Sequence, residues 1–158
     1  MKATTIALRI AAILWVVWGL VHMFAGVVTM INPTPQAVAG IADAVDPATL
    51  LDVVYPDAAG ALINQHGWNL AWGGLVTVIC APFVWKGDAR GIFLAALVGG
   101  LLDIGYFIFL DLGGYVHFVP GTVMTIFSGS AIVLSFYAHF ASQGEEGSAS
   151  TPNTSNAG

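Results

Sequence analysis

Few side chains in this sequence can do chemistry, and those that can stand where a polar group is costly. Asp103 lies in "LVGGLLDIGYFIF", with no other charged residue within seven positions on either side. His22 lies in a comparably apolar run, "WGLVHMFAG". A lone charge in hydrocarbon costs about 2.5–3.5 kcal/mol even on the lenient insertion scale, so Asp103 needs a partner or water. An imidazole suits: neutral, it hydrogen-bonds a carboxyl group; protonated, it pairs with a carboxylate. The sequence therefore points to a ligand site centred on His22 and Asp103. Asn69, one helical turn from His66, and Tyr106, one turn from Asp103, add polar groups.

Three chemistries fit such a set. Imidazoles and a carboxylate suit a borderline metal ion such as zinc, copper or iron, with His22, His66, Asp103 and His117 as ligands. No HxxxH, HExxH or CxxC spacing supports that set. Haem would need facing histidines, with His22 and His66 as the pair, but their depths differ by roughly 13 Å if the second span starts at His66. A small organic ligand, in particular a quinone head group, would fit a His/Asp/Tyr pocket. Transport is poorly supplied, because the opposite half of the bundle offers only Cys80, Ser135 and His139. The contrasting reading is a structural or accessory membrane subunit. There the same groups only hold helices together, at about 0.6 kcal/mol per interhelical hydrogen bond.

The elements that must position these residues follow from composition. Hydrophobic residues make up 57% of the 158 and charged residues 8%, against roughly 25% charged in a soluble domain. A lipid-embedded chain accounts for this, and about 20 apolar residues make one helical span. Four spans can be placed: about 10–31, 66–85 (with a start as early as Ala61), 91–110 and 121–140. The expected fold is all-α, an integral membrane antiparallel four-helix bundle. Lys2 and Arg9 would also make the basic start of a signal peptide, but the first apolar run is long for one and holds Trp15, Trp18 and His22.

The chain divides into a short N-terminus (1–9), a membrane domain (10–140) with one long loop (32–60), and a small, polar, acidic tail (141–158) expected to be disordered. In the loop "NPTP" breaks the first helix, and "DPATLLDVVY" offers a short helix with Asp46 as N-cap and Pro47 at the first position. The four bases, Lys2, Arg9, Lys86 and Arg90, all fall at one end of such a bundle. The positive-inside bias makes that end cytoplasmic, with both termini inside and the long acidic loop outside. The net charge of −5 reflects this segregation and gives no support for nucleic-acid binding. By rise per residue, His22 and Asp103 then lie roughly 13 Å and 11 Å below the outer surface, on antiparallel helices.

Glycines recur where helices must approach: Gly19 and Gly26, Gly73 and Gly74, Gly99 and Gly100, then Gly121, Ser128, Gly129 and Ser130. Trp68 and Trp85 read as interface anchors, and Trp15, Trp18 and Trp72 as packed or cavity-lining. The single cysteine, Cys80, forbids an intrachain disulfide. In size, layout and the segment "WGLVHMFAG", the chain resembles small four-span bacterial membrane proteins of the DoxX-like kind and related uncharacterised families. Some proteins of that kind are linked to quinone-dependent sulfur oxidation. The resemblance implies an inner-membrane protein in contact with the lipid bilayer, with a homo-oligomer or membrane-complex partner open, and transfers no catalytic residue.

Overall fold

The computed structural model describes residues 3–149. Its architecture is all-α, with four helices long and apolar enough to cross a membrane. In lipid the backbone must satisfy its own polar groups, and a continuous helix does so within each segment. The long helices are α1 (Ala3–Ile31), α4 (Asp57–Trp85), α5 (Ala89–Tyr106) and α6 (Val123–Ala149); α2 (Thr34–Ala42) and α3 (Ala48–Leu51) lie between the first two. The chain is an integral, multi-pass membrane protein.

Each long helix starts and stops for local reasons. Pro56 precedes α4, and Asp57 in its first turn favours the positive end of the helix dipole. After Trp85 the chain reverses through Gly87, whose φ of 76° is left-handed. The Asp88 side chain then caps α5 by accepting from the Arg90 amide at 2.9 Å. The far end of α5 widens into a π-helical turn, Phe107–Asp111, and a second one, Phe118–Thr122, leads into α6. Neither widened turn was anticipated from the sequence.

The helices form a four-cornered bundle in which α1 and α5 each pack against both α4 and α6. This leaves α1 and α5 diagonally opposed. The tightest seam joins α1 to α4. A Cβ on Gly19 would meet the Gly74 carbonyl at 2.6 Å, and one on Gly67 would meet the Gly26 carbonyl at 2.9 Å. The two antiparallel helices thus cross glycine on glycine, twice, seven residues apart. The core beneath this seam contains Trp15 and Trp18, both wholly buried, with Cys80, Val84, Ile92 and Ala131. Large apolar side chains such as Phe24, Leu97, Leu101 and Val133 are exposed, as expected of a lipid-facing surface. Arg9 sits 5.2 Å over the Trp85 ring, so the start of α1 and the Gly87 turn share one end of the bundle.

Several expectations need correcting. The helix carrying His66 begins at Asp57, more than two turns before His66. Loop 32–60 holds two short helices where one was expected, because Pro33 and Pro35 start α2 as well as ending α1. Asp46 does not cap α3 with its side chain; Pro47 holds the cap position, and the Asp46 carbonyl accepts from Thr49. Trp72 is 39% exposed, not packed inside. Helix α6 continues through 141–149, and the rest of the expected tail, 150–158, lies outside the described residues.

At the end opposite Arg9 the two long connections are stitched together. The Val45 amide donates to the Tyr115 carbonyl at 3.1 Å, and the His117 amide donates to the Asp43 carbonyl at 3.0 Å. Ala44 and Val116 form an isolated antiparallel bridge between these bonds. The result is a lid across one mouth of the bundle.

Candidate functional site

The site begins with α1. Trp18 and His22 stand four residues apart, so they share a face one turn apart. Their rings stack with centroids 3.7 Å apart and planes 20° from parallel. His22 Nδ1 lies 2.8 Å from the Trp18 carbonyl oxygen. A carbonyl only accepts, so Nδ1 carries the proton and Nε2 is turned away from the helix.

Asp103 reaches in from the diagonal helix, α5, and is 3% exposed. Its Oδ2 accepts a hydrogen bond from the Trp18 indole Nε1 at 2.8 Å. Its Oδ1 lies 3.7 Å from His22 Nε2. That gap is beyond direct hydrogen-bond range. The indole therefore does two jobs: it holds the carboxylate by its edge and the imidazole by its face. Buried Ser128 lies beside the same carboxylate, contributed by α6.

This array forms one wall of a cavity of about 500 Å³ under the lid. Its lining is mainly apolar, with Leu70, Leu102, Phe109 and Met124 prominent; the polar contributors are His22, Asp103, Tyr106, His66 and, from the lid, Asp43. Gly121 makes room for the Tyr106 ring and hydroxyl, which occupy the space a Cβ would fill. Above it, Thr122 donates to Asp111 Oδ1 at 2.6 Å. Ligand pockets of this volume class are typically apolar with a few convergent polar groups, as here.

Of the four residues assigned to ligand binding, His22, Asp103 and Tyr106 line the cavity together. Asn69 does not line it; its Oδ1 accepts from the Trp72 indole at 3.1 Å on the outer side of α4. The metal set is not assembled. His66 lines the cavity, but His117 is exposed on the lid, and no three His, Cys, Asp or Glu among the described residues converge as ligands. The depth mismatch expected between His22 and His66 also shrinks, to about 7 Å, since Gly26 packs on Gly67 and Gly19 on Gly74 and His66 is therefore level with Val27. The larger figure rested on starting the second span at His66, whereas α4 begins nine residues earlier and carries His66 down to the cavity wall.

Sequence reasoning missed the role of Trp18, although the signal was present in the i, i+4 spacing of Trp18 and His22. It also missed Ser128, taken only as a packing residue, and Asp43, whose position depends on lid pairing. No family model, curated protein or solved structure matches the chain. The functional reading therefore rests on the geometry of the site.

Proposed function

We propose that this membrane protein binds a small amphiphilic organic molecule in the cavity beneath the lid, with the polar head of the ligand between His22 and Asp103. The carrying observation is the 3.7 Å gap between His22 Nε2 and Asp103 Oδ1. With Nδ1 committed as a donor, a neutral Nε2 and an ionised Oδ1 are both acceptors and repel. A single proton on either atom, or a bridging group, removes the conflict. A hydroxyl seated beside the pair can bridge both atoms, donating to one and accepting from the other's proton, and a carbonyl oxygen there can accept that proton. Quinone and quinol head groups carry these functions, and the Tyr106 hydroxyl supplies a further donor. We place the ligand site in the half of the bundle away from the bases, in a bacterial inner membrane with both termini cytoplasmic. The clustering of Lys2, Arg9, Lys86 and Arg90 supports that orientation. The likeness to DoxX-like proteins is consistent with it.

The test is equilibrium binding of a tail-less benzoquinone, 2,3-dimethoxy-5-methylbenzoquinone, to the purified full chain, followed by quenching of tryptophan emission. His22→Phe keeps a ring to stack on Trp18 and removes both nitrogens. Asp103→Asn keeps an acceptor for the indole and removes the charge. Saturable binding to wild type that both variants lose is the expected result. Undiminished binding in both variants refutes the assignment. A second reading, in which the array only joins helices, draws on the Trp18–Asp103 bond, which already links α1 to α5 across the diagonal. It predicts no saturable binding at all.

A further inference from the structure

Asp103 belongs to two cavities. Besides the one under the lid, it lines a groove of about 500 Å³ running along the seam between α5 and α6. Leu101 is common to both as well, so the two spaces meet at the carboxylate. The groove is graded. Asp103, Thr125 and Ser128 all lie in the half nearer the lid cavity, beside Ile104 and Phe107, while Phe93, Ile132 and Phe136 lie at the other end. Phe93 and Phe136 meet edge to face at 4.9 Å and close that end. Between Phe93 and Asp103 the groove spans roughly 15 Å at the helical rise, longer than an extended decyl chain and so able to hold one.

The seam is open at Gly129 and tight at Gly100, where an added Cβ would meet the Ile132 side chain at 3.0 Å. A Cβ added to Gly129 would meet nothing within 4 Å, unlike the glycines of the α1–α4 seam. The side chains along the outer edge of the groove are exposed on the lipid-facing surface: Leu97 is 59% exposed, Leu101 62% and Ile104 56%.

We infer that the α5–α6 groove takes the hydrocarbon tail of the ligand whose head group sits at Asp103, and that this ligand enters sideways from the lipid. The inference rests on the head-group reading above and adds the tail, its location and the route. The occupant follows from continuity and polarity. A groove whose polar side chains all lie in one half, next to the head-group site, and which ends between two phenyl rings matches a molecule polar at one end and a linear hydrocarbon at the other. The head would sit near the lid end of the bundle and the tail would run toward the middle of the bilayer, as in any amphiphile of that leaflet.

The experiment compares the tail-less benzoquinone with its decyl homologue on wild type, Gly129→Phe and Gly129→Ala. Phenylalanine fills the groove; alanine is too small to do so and controls for loss of glycine. With each compound referred to its concentration in the detergent phase, van der Waals contact of the tail with the groove should make the decyl compound bind wild type about threefold tighter or better. Gly129→Phe should erase that preference and leave the tail-less affinity unchanged, while Gly129→Ala should keep it. A tail preference that survives Gly129→Phe, or no preference in wild type, overturns the groove and leaves the head-group site standing. Failure of the tail-less compound to bind wild type overturns the head-group site, and the groove proposal with it.

Discussion

Trp15 and Trp18 permit a matched test of what holds the site together. Both are wholly buried on α1, one turn apart, and their rings meet edge to face at 5.9 Å. They differ in two respects. Trp18 stacks on the His22 ring, with centroids 3.7 Å apart, a contact that phenylalanine can keep. The Trp18 indole nitrogen donates to Asp103 at 2.8 Å, whereas the Trp15 indole nitrogen is buried with no partner. Replacing each in turn by Phe removes a similar volume of ring and leaves a similar void. Trp18→Phe also removes a donor from a buried carboxylate. A hydrogen bond to a charged group is worth about 1.5–3 kcal/mol in general, although interhelical bonds in membranes average only about 0.6 and reach about 1.7 kcal/mol. Trp15→Phe, by contrast, removes a buried orphan donor whose burial costs about 1–3 kcal/mol, which offsets part of the cavity penalty.

Taking the lower part of each range, Trp18→Phe should destabilise the bundle by about 2 kcal/mol more than Trp15→Phe. The assay is reversible unfolding in mixed detergent micelles, with helicity as the readout. A double-mutant cycle with Asp103→Asn then shows whether the excess belongs to the Trp18–Asp103 pair. Equal destabilisation by the two Phe substitutions, or an excess that persists in the Asp103→Asn background and so belongs to the His22 stacking, would refute the assignment.

The glycine seam makes a second comparison: Gly74→Ala drives a Cβ into the backbone of α1 and should destabilise by about 1–3 kcal/mol, while Gly129→Ala, facing open space, should stay near wild type in the same unfolding assay. At the opposite end of the bundle, the Arg90 side chain and amide hold the Asp88 carboxyl below the usual carboxylate range. A depressed folded-state value means that its stabilising effect is present at neutral pH and disappears as pH falls through that value. Asp88→Asn should therefore flatten the acid limb of a stability–pH curve, and an unchanged limb would contradict the capping role. Finally, Ala44→Cys with Val116→Cys should form a disulfide across the bridge, where opposed antiparallel Cα atoms lie about 4.5–5.5 Å apart. Locking the lid in this way should slow entry of the tail-less benzoquinone in stopped-flow quenching and leave entry of the decyl compound unchanged. Equal slowing of both would argue against the sideways route.

The bundle was legible because lipid imposes a strong rule: long apolar runs must become helices. Asp103 and His22 were legible for the converse reason, since polar groups stand out against such runs. What was not legible depended on where helices start and how they face. "AGALINQ" before His66 is too polar to be read as membrane span, yet after Pro56 nothing in it interrupts a helix, and α4 runs through it. That one boundary displaced His66 from rim to cavity wall. Asn69 was misplaced by the complementary ambiguity. Shared depth with the cluster did not fix which side of α4 it would face, and it turns outward to Trp72. His117 was assigned by proximity to the fourth span, but the pairing of the two lid segments leaves its side chain on the outside.

Trp18 explains why the binding and structural readings of Asp103 are hard to separate by simple deletion. The same indole supports the His22 ring on its face and holds the carboxylate at its edge, so removing it disturbs fold and site together. Only one oxygen of the carboxylate is used in that support. Oδ2 is bound by Trp18, while Oδ1 faces the Nε2 of His22 across a gap too wide for a direct bond. Ser128 lies beside the same carboxylate, so the carboxylate is supported from α6 as well as by Trp18, and it does not depend on a direct bond to His22. One oxygen is fixed by the indole and the other faces the imidazole, an arrangement compatible with the proposed binding role. It also makes Asp103→Asn the informative substitution: an amide oxygen can replace Oδ2 toward the indole while the charge across the gap is lost. Stability near wild type with binding abolished is the expected signature of that variant. Loss of both in equal measure would return Asp103 to a purely structural role.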